Sequence, residues 1–131
     1  MISSSTPRSY SQKKITVGVL VHAPPEDCAF NHAVAHALEA LKEGKQTYLY
    51  LLHHAVTGAH HPAMASLEEL GVRCFACSLA LEQEDMETPA WILPAGLTLL
   101  SDILHHSDEI GVFNPSLETR SGENRMCFAT T

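Results

Sequence analysis

Long apolar runs are missing from this 131-residue chain, and nothing approaches the roughly 18 consecutive apolar residues that a membrane span requires. The polar, Ser-rich stretch from Met1 to Lys14 also lacks the apolar segment of a secretory signal, so it is expected to be a flexible arm on a cytoplasmic protein. Basic residues are scarce as well. Between Ile15 and Asn114 only Lys42, Lys45 and Arg73 are basic, against 13 acidic residues, which leaves that body near −10. A body so acidic repels phosphate backbones and anionic lipid, so neither nucleic acid nor membrane is expected as a partner. No Gly-rich phosphate cradle and no G-x-S-x-G elbow is present, which argues against nucleotide cofactors and serine hydrolysis. There is no second C-x-x-C to complete a zinc site and no internal repeat.

What is present describes an ordinary globular domain, 45% apolar and 18% charged. The length suits one domain, expected over residues 15–114, with a second flexible segment over 115–131 that lacks any apolar period. The β-branched run Ile15-Thr16-Val17-Gly18-Val19-Leu20-Val21 reads as a strand buried on both faces. Phe30, Ala33, Val34, Ala37, Leu38 and Leu41 then form one helical stripe, with Asp27 as N-cap and Gly44 as stop. Further strands are expected at Thr47–Leu52, Val72–Ala76, Ala90–Leu93 and Ile110–Phe113. They are separated by a His/Gly/Pro-rich loop and by helices over Ala63–Leu70, Ser78–Met86 and Leu97–His106. Strands alternating with helices predict an α/β fold: a small doubly wound, five-stranded, mostly parallel sheet with helices on both faces.

In such sheets ligands gather at the carboxyl ends of the strands. His22, His53, Cys77 and Pro94 fall at those ends, and Cys28 opens the first helix on the same edge. Cys77 is the residue that carries chemistry. A thiol at a strand end facing the first turn of a helix gains the partial positive charge of unsatisfied amides, which favours thiolate. The expectation is therefore an exposed sulfur, poised as an anion, at the mouth of the sheet. Its bland alternative is a buried cysteine packing as a small hydrophobe, which is the reading preferred for Cys74. Cys74-Phe75-Ala76-Cys77 fits C-x-x-C, but residues three apart on a strand face opposite sides, which disfavours a local disulfide. Four cysteines (Cys28, Cys74, Cys77 and Cys127) without a signal suggest a reducing compartment.

Nine histidines raise a weaker, metal-binding alternative. His32 and His36 have the one-turn spacing of shared ligands, but they lack the intervening glutamate of a hydrolytic motif and lie opposite the apolar stripe. A solvated helix face explains them better, so no metal and no cofactor is assigned. One histidine of His53-His54 or His60-His61 is a candidate base for the Cys77 thiol, and His105-His106 suits a helix C-terminus. The acidic run from Glu82 to Glu87, just after the thiol, is either a solvated face or a dock for a basic partner.

With these residues laid out, the chain resembles the DsrE/DsrF-like sulfur-relay family, which includes TusD and YchN-type proteins. Gly44-Lys45-Gln46-Thr47-Tyr48-Leu49-Tyr50-Leu51-Leu52 is similar to the family's glycine turn and second strand. Gly71-Val72-Arg73-Cys74-Phe75-Ala76-Cys77 resembles its strand ending in the active cysteine. Leu93-Pro94-Ala95-Gly96-Leu97 through Ser107-Asp108-Glu109-Ile110-Gly111-Val112-Phe113 resembles its closing turn, helix and last strand. The resemblance covers residues 15 to 113 through short motifs in the right order. It implies a cytoplasmic sulfurtransferase or persulfide carrier, a homo-oligomer (trimer or hexamer), that takes sulfane sulfur on Cys77 from a donor protein and hands it to an acceptor. His22, Cys28, His53 and Pro94 would line the site. The chain departs from the pattern where relay proteins carry arginines after the cysteine, since Glu82, Glu84 and Asp85 stand there. A second reading is therefore an oligomeric small-ligand or protein-binding member of the same fold with an inert Cys77.

Overall fold

The computed structural model describes residues 15–115. The arm expected over residues 1–14, and all but the first residue of the segment expected over 115–131, lie outside the described residues, as does Cys127. The elements run β1 (Thr16–Val21), α1 (Cys28–Lys42), β2 (Gln46–Leu51), a 3-10 helix (His53–Gly58), α2 (Pro62–Leu70), β3 (Arg73–Cys77), α3 (Ser78–Gln83), β4 (Leu93–Ala95), α4 (Leu97–His106) and β5 (Glu109–Phe113). The five strands form one parallel sheet in the order β4-β3-β2-β1-β5. The α/β fold expected from the sequence is the one observed.

Local chemistry sets the boundaries. Asp27 caps α1 by accepting a hydrogen bond from the Ala29 amide at 2.9 Å. Phe30, Ala33, Ala37 and Ala40 turn one face of α1 into the core. The chain leaves that helix through Gly44, whose φ of 81° is the left-handed conformation glycine adopts without a side-chain clash. Pro62 stands in the first turn of α2, where its missing N–H costs nothing. The His61 ring accepts from the Ala63 amide at 3.1 Å and completes that cap.

Helices cover both sheet faces. A Cβ on Gly18 would meet Ser107 Oγ and Ile103 of the α4 side, and one on Gly111 would meet His36 of α1. Gly18 pairs with Ile110, so Gly18 and Gly111 point to opposite faces and α1 and α4 lie on opposite sides. The first and last strands are clasped: Asp108 N–H donates to the Thr16 carbonyl (2.7 Å), and Thr16 N–H donates to Asp108 Oδ2 (2.8 Å).

Two elements differ from expectation. The fourth strand is Leu93–Ala95, three residues further along than Ala90–Leu93. It is an edge strand bonded only to β3, so Pro94 can occupy it without losing a ladder bond on its outer side. Trp91, expected inside the strand, lies before it and donates its indole N–H to the Ala59 carbonyl at 3.1 Å. The helix after Cys77 ends at Gln83 rather than Met86, because Asp85 adopts a left-handed φ of 55°.

Candidate functional site

Cys77 is both the last residue of β3 and the N-cap residue of α3, the placement expected for it. It is a free thiol, and so is Cys74. The expected exposure is corrected: Cys77 retains only 8% of its surface. The shifted fourth strand is the cause, since it sets Ala95 directly level with Cys77. The next residue, Ser78, the first of α3, is exposed.

The neighbour that sequence reasoning missed is Tyr50. It lies on β2 opposite Phe75 of β3, fully buried, and Cys77 is close enough to influence its phenol electrostatically. That hydroxyl donates to the Ala95 carbonyl (2.9 Å) or the Gly96 carbonyl (3.0 Å). Burial first, then the negative charge that Cys77 can carry, push the Tyr50 phenol up to about 12, so it stays protonated. Ser78 Oγ also donates to Ala95 at 3.1 Å. Nothing local in the sequence marks Tyr50, because its role depends on the register between two strands.

The remaining expected site residues separate into two groups. His22 and His53 follow β1 and β2, and their rings lie 5.1 Å apart. Burial, then the neighbouring His53, hold His22 below the ordinary histidine value. His53 carries a φ of 52°, a strained conformation for a residue with a side chain. Val21, Leu51 and Ala76 are in register, so His22 sits two strands away from Cys77, about 10 Å at the usual strand spacing. The strand order reverses between β1 and β5, so the histidine pair, not the thiol, borders that switch point, where His22 N–H donates to the Phe113 carbonyl. The single convergence of thiol and imidazoles expected at one edge is therefore two neighbouring sites.

The other histidines are engaged elsewhere. His54 pairs with Glu84 at 3.3 Å, His60 meets the Glu87 carbonyl, and His61 caps α2. His36 packs on Phe113. His106 meets the Asp102 carbonyl at the end of α4, as its position suggested. Among the described residues, no group of three or more His, Cys, Asp or Glu side chains is arranged to hold a metal ion. Cys28 is disulfide-bonded, which removes it as a second free thiol and runs against the fully reduced set expected from cysteine usage. Pro94 lies inside β4 rather than beyond its end. It does line a cavity of about 530 Å³ beside Cys77, together with Ser78, Leu81, Glu82, Asp85, Met86, Glu87 and Thr88. Glu82, Asp85 and Glu87 of the acidic run thus line a cleft that reaches Ser78, the residue after Cys77, although Cys77 itself does not line it.

Cys74 points to the opposite side of the sheet from Cys77, in register with Leu49. It is buried, its S–H directed to the Val72 carbonyl, and burial followed by Glu68 pushes its thiol up to about 12. That is the inert core cysteine expected of it.

No protein-family model and no curated protein matches the chain. Among solved structures it is similar to the crystal structure of the YchN protein from E. coli, with a TM-score of 0.63 and 18% identity. The likeness covers 76% of this chain and 99% of that one. At this identity the likeness is one of fold, and it agrees with the YchN-like α/β architecture expected from the sequence. No helix among the described residues is long and apolar enough to cross a membrane.

Proposed function

We propose that this protein carries sulfane sulfur as a persulfide on Cys77 and passes it to a partner protein in the cytoplasm. The observation that carries the reading is a free thiol that is both the last residue of β3 and the N-cap residue of α3. In the loading step the Cys77 thiolate attacks the outer sulfur of a donor persulfide R–S–SH. One S–S bond forms, the donor's S–S bond breaks, and R–S⁻ leaves with the electron pair while Cys77 gains –S–SH. No net oxidation occurs. Delivery is the same exchange with an acceptor thiolate attacking the outer sulfur on Cys77.

Donor and acceptor are proteins that present their own cysteine at the acidic cleft, so basic contact surfaces suit them. The carrier self-associates as a trimer or hexamer, consistent with Ile110 and Val112, which stand exposed on edge strand β5. The test is incubation with a small-molecule persulfide donor, followed by intact mass. Wild type gains the mass of one sulfur atom and Cys77→Ser does not; equal loading of the two ends the proposal.

The burial of Cys77 favours one second reading, a binding protein of the same fold in which the thiol only packs. Alkylation of Cys77 with a midpoint near the unperturbed cysteine value of about 8.5 supports that reading, and a midpoint well below it supports the carrier.

A further inference from the structure

Adjacent parallel strands β1 and β2 deliver His22 and His53 to the carboxyl edge of the sheet, with ring centroids 5.1 Å apart and ring planes at 39°. The pair borders the switch point of the strand order, the place where sheets of this class hold ligands. His53 keeps a φ of 52°, a conformation that persists only where the surroundings hold it and that clusters at ligand clamps. Elsewhere the histidines are occupied: the rings of His54, His60, His61 and His106 have an ion-pair or hydrogen-bond partner. Among the described residues, by contrast, the ring nitrogens of His22 and His53 have no hydrogen-bond partner. His22 is half-buried and His53 exposed, so an ion can reach both. His105 and His106 also stand 5.2 Å apart, but His106 Nδ1 is committed to the Asp102 carbonyl.

We propose that His22 and His53 form a two-imidazole site for an exchangeable zinc ion at the switch point of the sheet. Zinc binds imidazole nitrogen at about 2.0–2.1 Å, which puts each ring centroid about 3.2 Å from the metal. Two such rings at a tetrahedral angle stand about 5.2 Å apart, whereas the right angle of a square-planar ion brings them to about 4.5 Å. The observed 5.1 Å is the tetrahedral spacing, and among ions that favour imidazole it selects zinc over square-planar copper or nickel. The body, near −10 between Ile15 and Asn114, draws a divalent cation toward its surface. Only two protein ligands are present, in keeping with the lack, among the described residues, of any metal-holding group of three or more. The other two positions take water or an incoming anionic ligand, so the ion is exchangeable and not a structural one. Cys77, two strands away at about 10 Å, is beyond bonding reach of that ion, so the site stands apart from the sulfur-carrying reading.

The test uses the full chain without added histidines, Zn²⁺ alone as the probe, and competition against a coloured chelator as the readout. Wild type is expected to bind one Zn²⁺ ahead of any weaker sites. His22→Gln and His53→Gln should each weaken that site by about tenfold or more, at least the cost of losing a residue that merely supports a ligand. His105→Gln, at the other close ring pair, should leave it unchanged. Wild-type affinity in either His22→Gln or His53→Gln overturns the proposal, as does wild type that binds no zinc. Should either variant fail to fold, wild type alone decides, through diethyl pyrocarbonate labelling and peptide mass mapping with and without one equivalent of Zn²⁺. Protection of His22 and His53 together supports the site; protection of other histidines alone, or of none, overturns it. Sulfur loading of Cys77 is measured separately by intact mass, and its failure would remove the carrier and leave the zinc site standing.

Discussion

Two cysteines three residues apart have opposite fates, and the difference is the face of β3 each occupies. Cys74 is turned into the layer under α2 and needs strongly basic solution to ionise, whereas Cys77 stands at the end of the same strand, where α3 begins. Native protein treated with limiting iodoacetamide at about pH 8 should therefore lose Cys77 first, with Cys74 at least tenfold slower by peptide mass mapping. Equal labelling of both would show that the strand opens before it reacts. His22 offers a second handle. Its folded-state value lies below that of the unfolded chain, so its stabilising contribution is complete above the ordinary histidine value and is lost as pH falls through the depressed folded value. Urea midpoints should fall between about pH 7 and pH 5, and His22→Gln should flatten that slope. At this scale the sequence made Cys77 readable, because the β-branched run before it and the helical run after it are local. Tyr50 was unreadable for the opposite reason: its partners lie 45 or more residues away, or on a strand whose register no local pattern displays.

Among the elements, α1 was legible to within a residue or two, since its apolar period, its Asp27 cap and its Gly44 stop all point the same way. β4 was not. Three residues give too short a pattern to place, and the apolar Trp91-Ile92-Leu93 run belongs partly to a turn that packs on the Ala59 region. In sequence the segment from His53 to Gly58 reads as loop, because a helix of one turn or two carries no stripe. It is nonetheless tightly seated. A Cβ on Gly58 would come within 2.6 Å of the Phe30 ring and 2.9 Å of Pro25, two groups that are rigid. Gly58→Ala is expected to cost about 1–3 kcal/mol in urea unfolding. By contrast, alanine at Gly96, which has open space, should leave the midpoint within about 0.5 kcal/mol of wild type.

For the molecule as a whole, the doubly wound class followed from strand–helix alternation alone. The strand order did not, because which strand returns to lie beside β1 is a tertiary choice. That choice leaves β5 on an edge with Ile110 and Val112 exposed, the strip on which the proposed self-association would rest. Sedimentation velocity should show Val112→Asp as a smaller species than wild type at equal concentration, and identical sedimentation would remove β5 from the interface. The reversal also bears on how the chain is made. β1, the strand formed earliest, obtains one neighbour from residues 46–51 and the other only from residues 109–113, and the Thr16–Asp108 clasp cannot close before both ends of that span exist. On a ribosome the middle of the sheet must wait, half-bonded, for almost the last residues of the domain to emerge. The pairing of β1 is thus completed only once residues 109–113 are available.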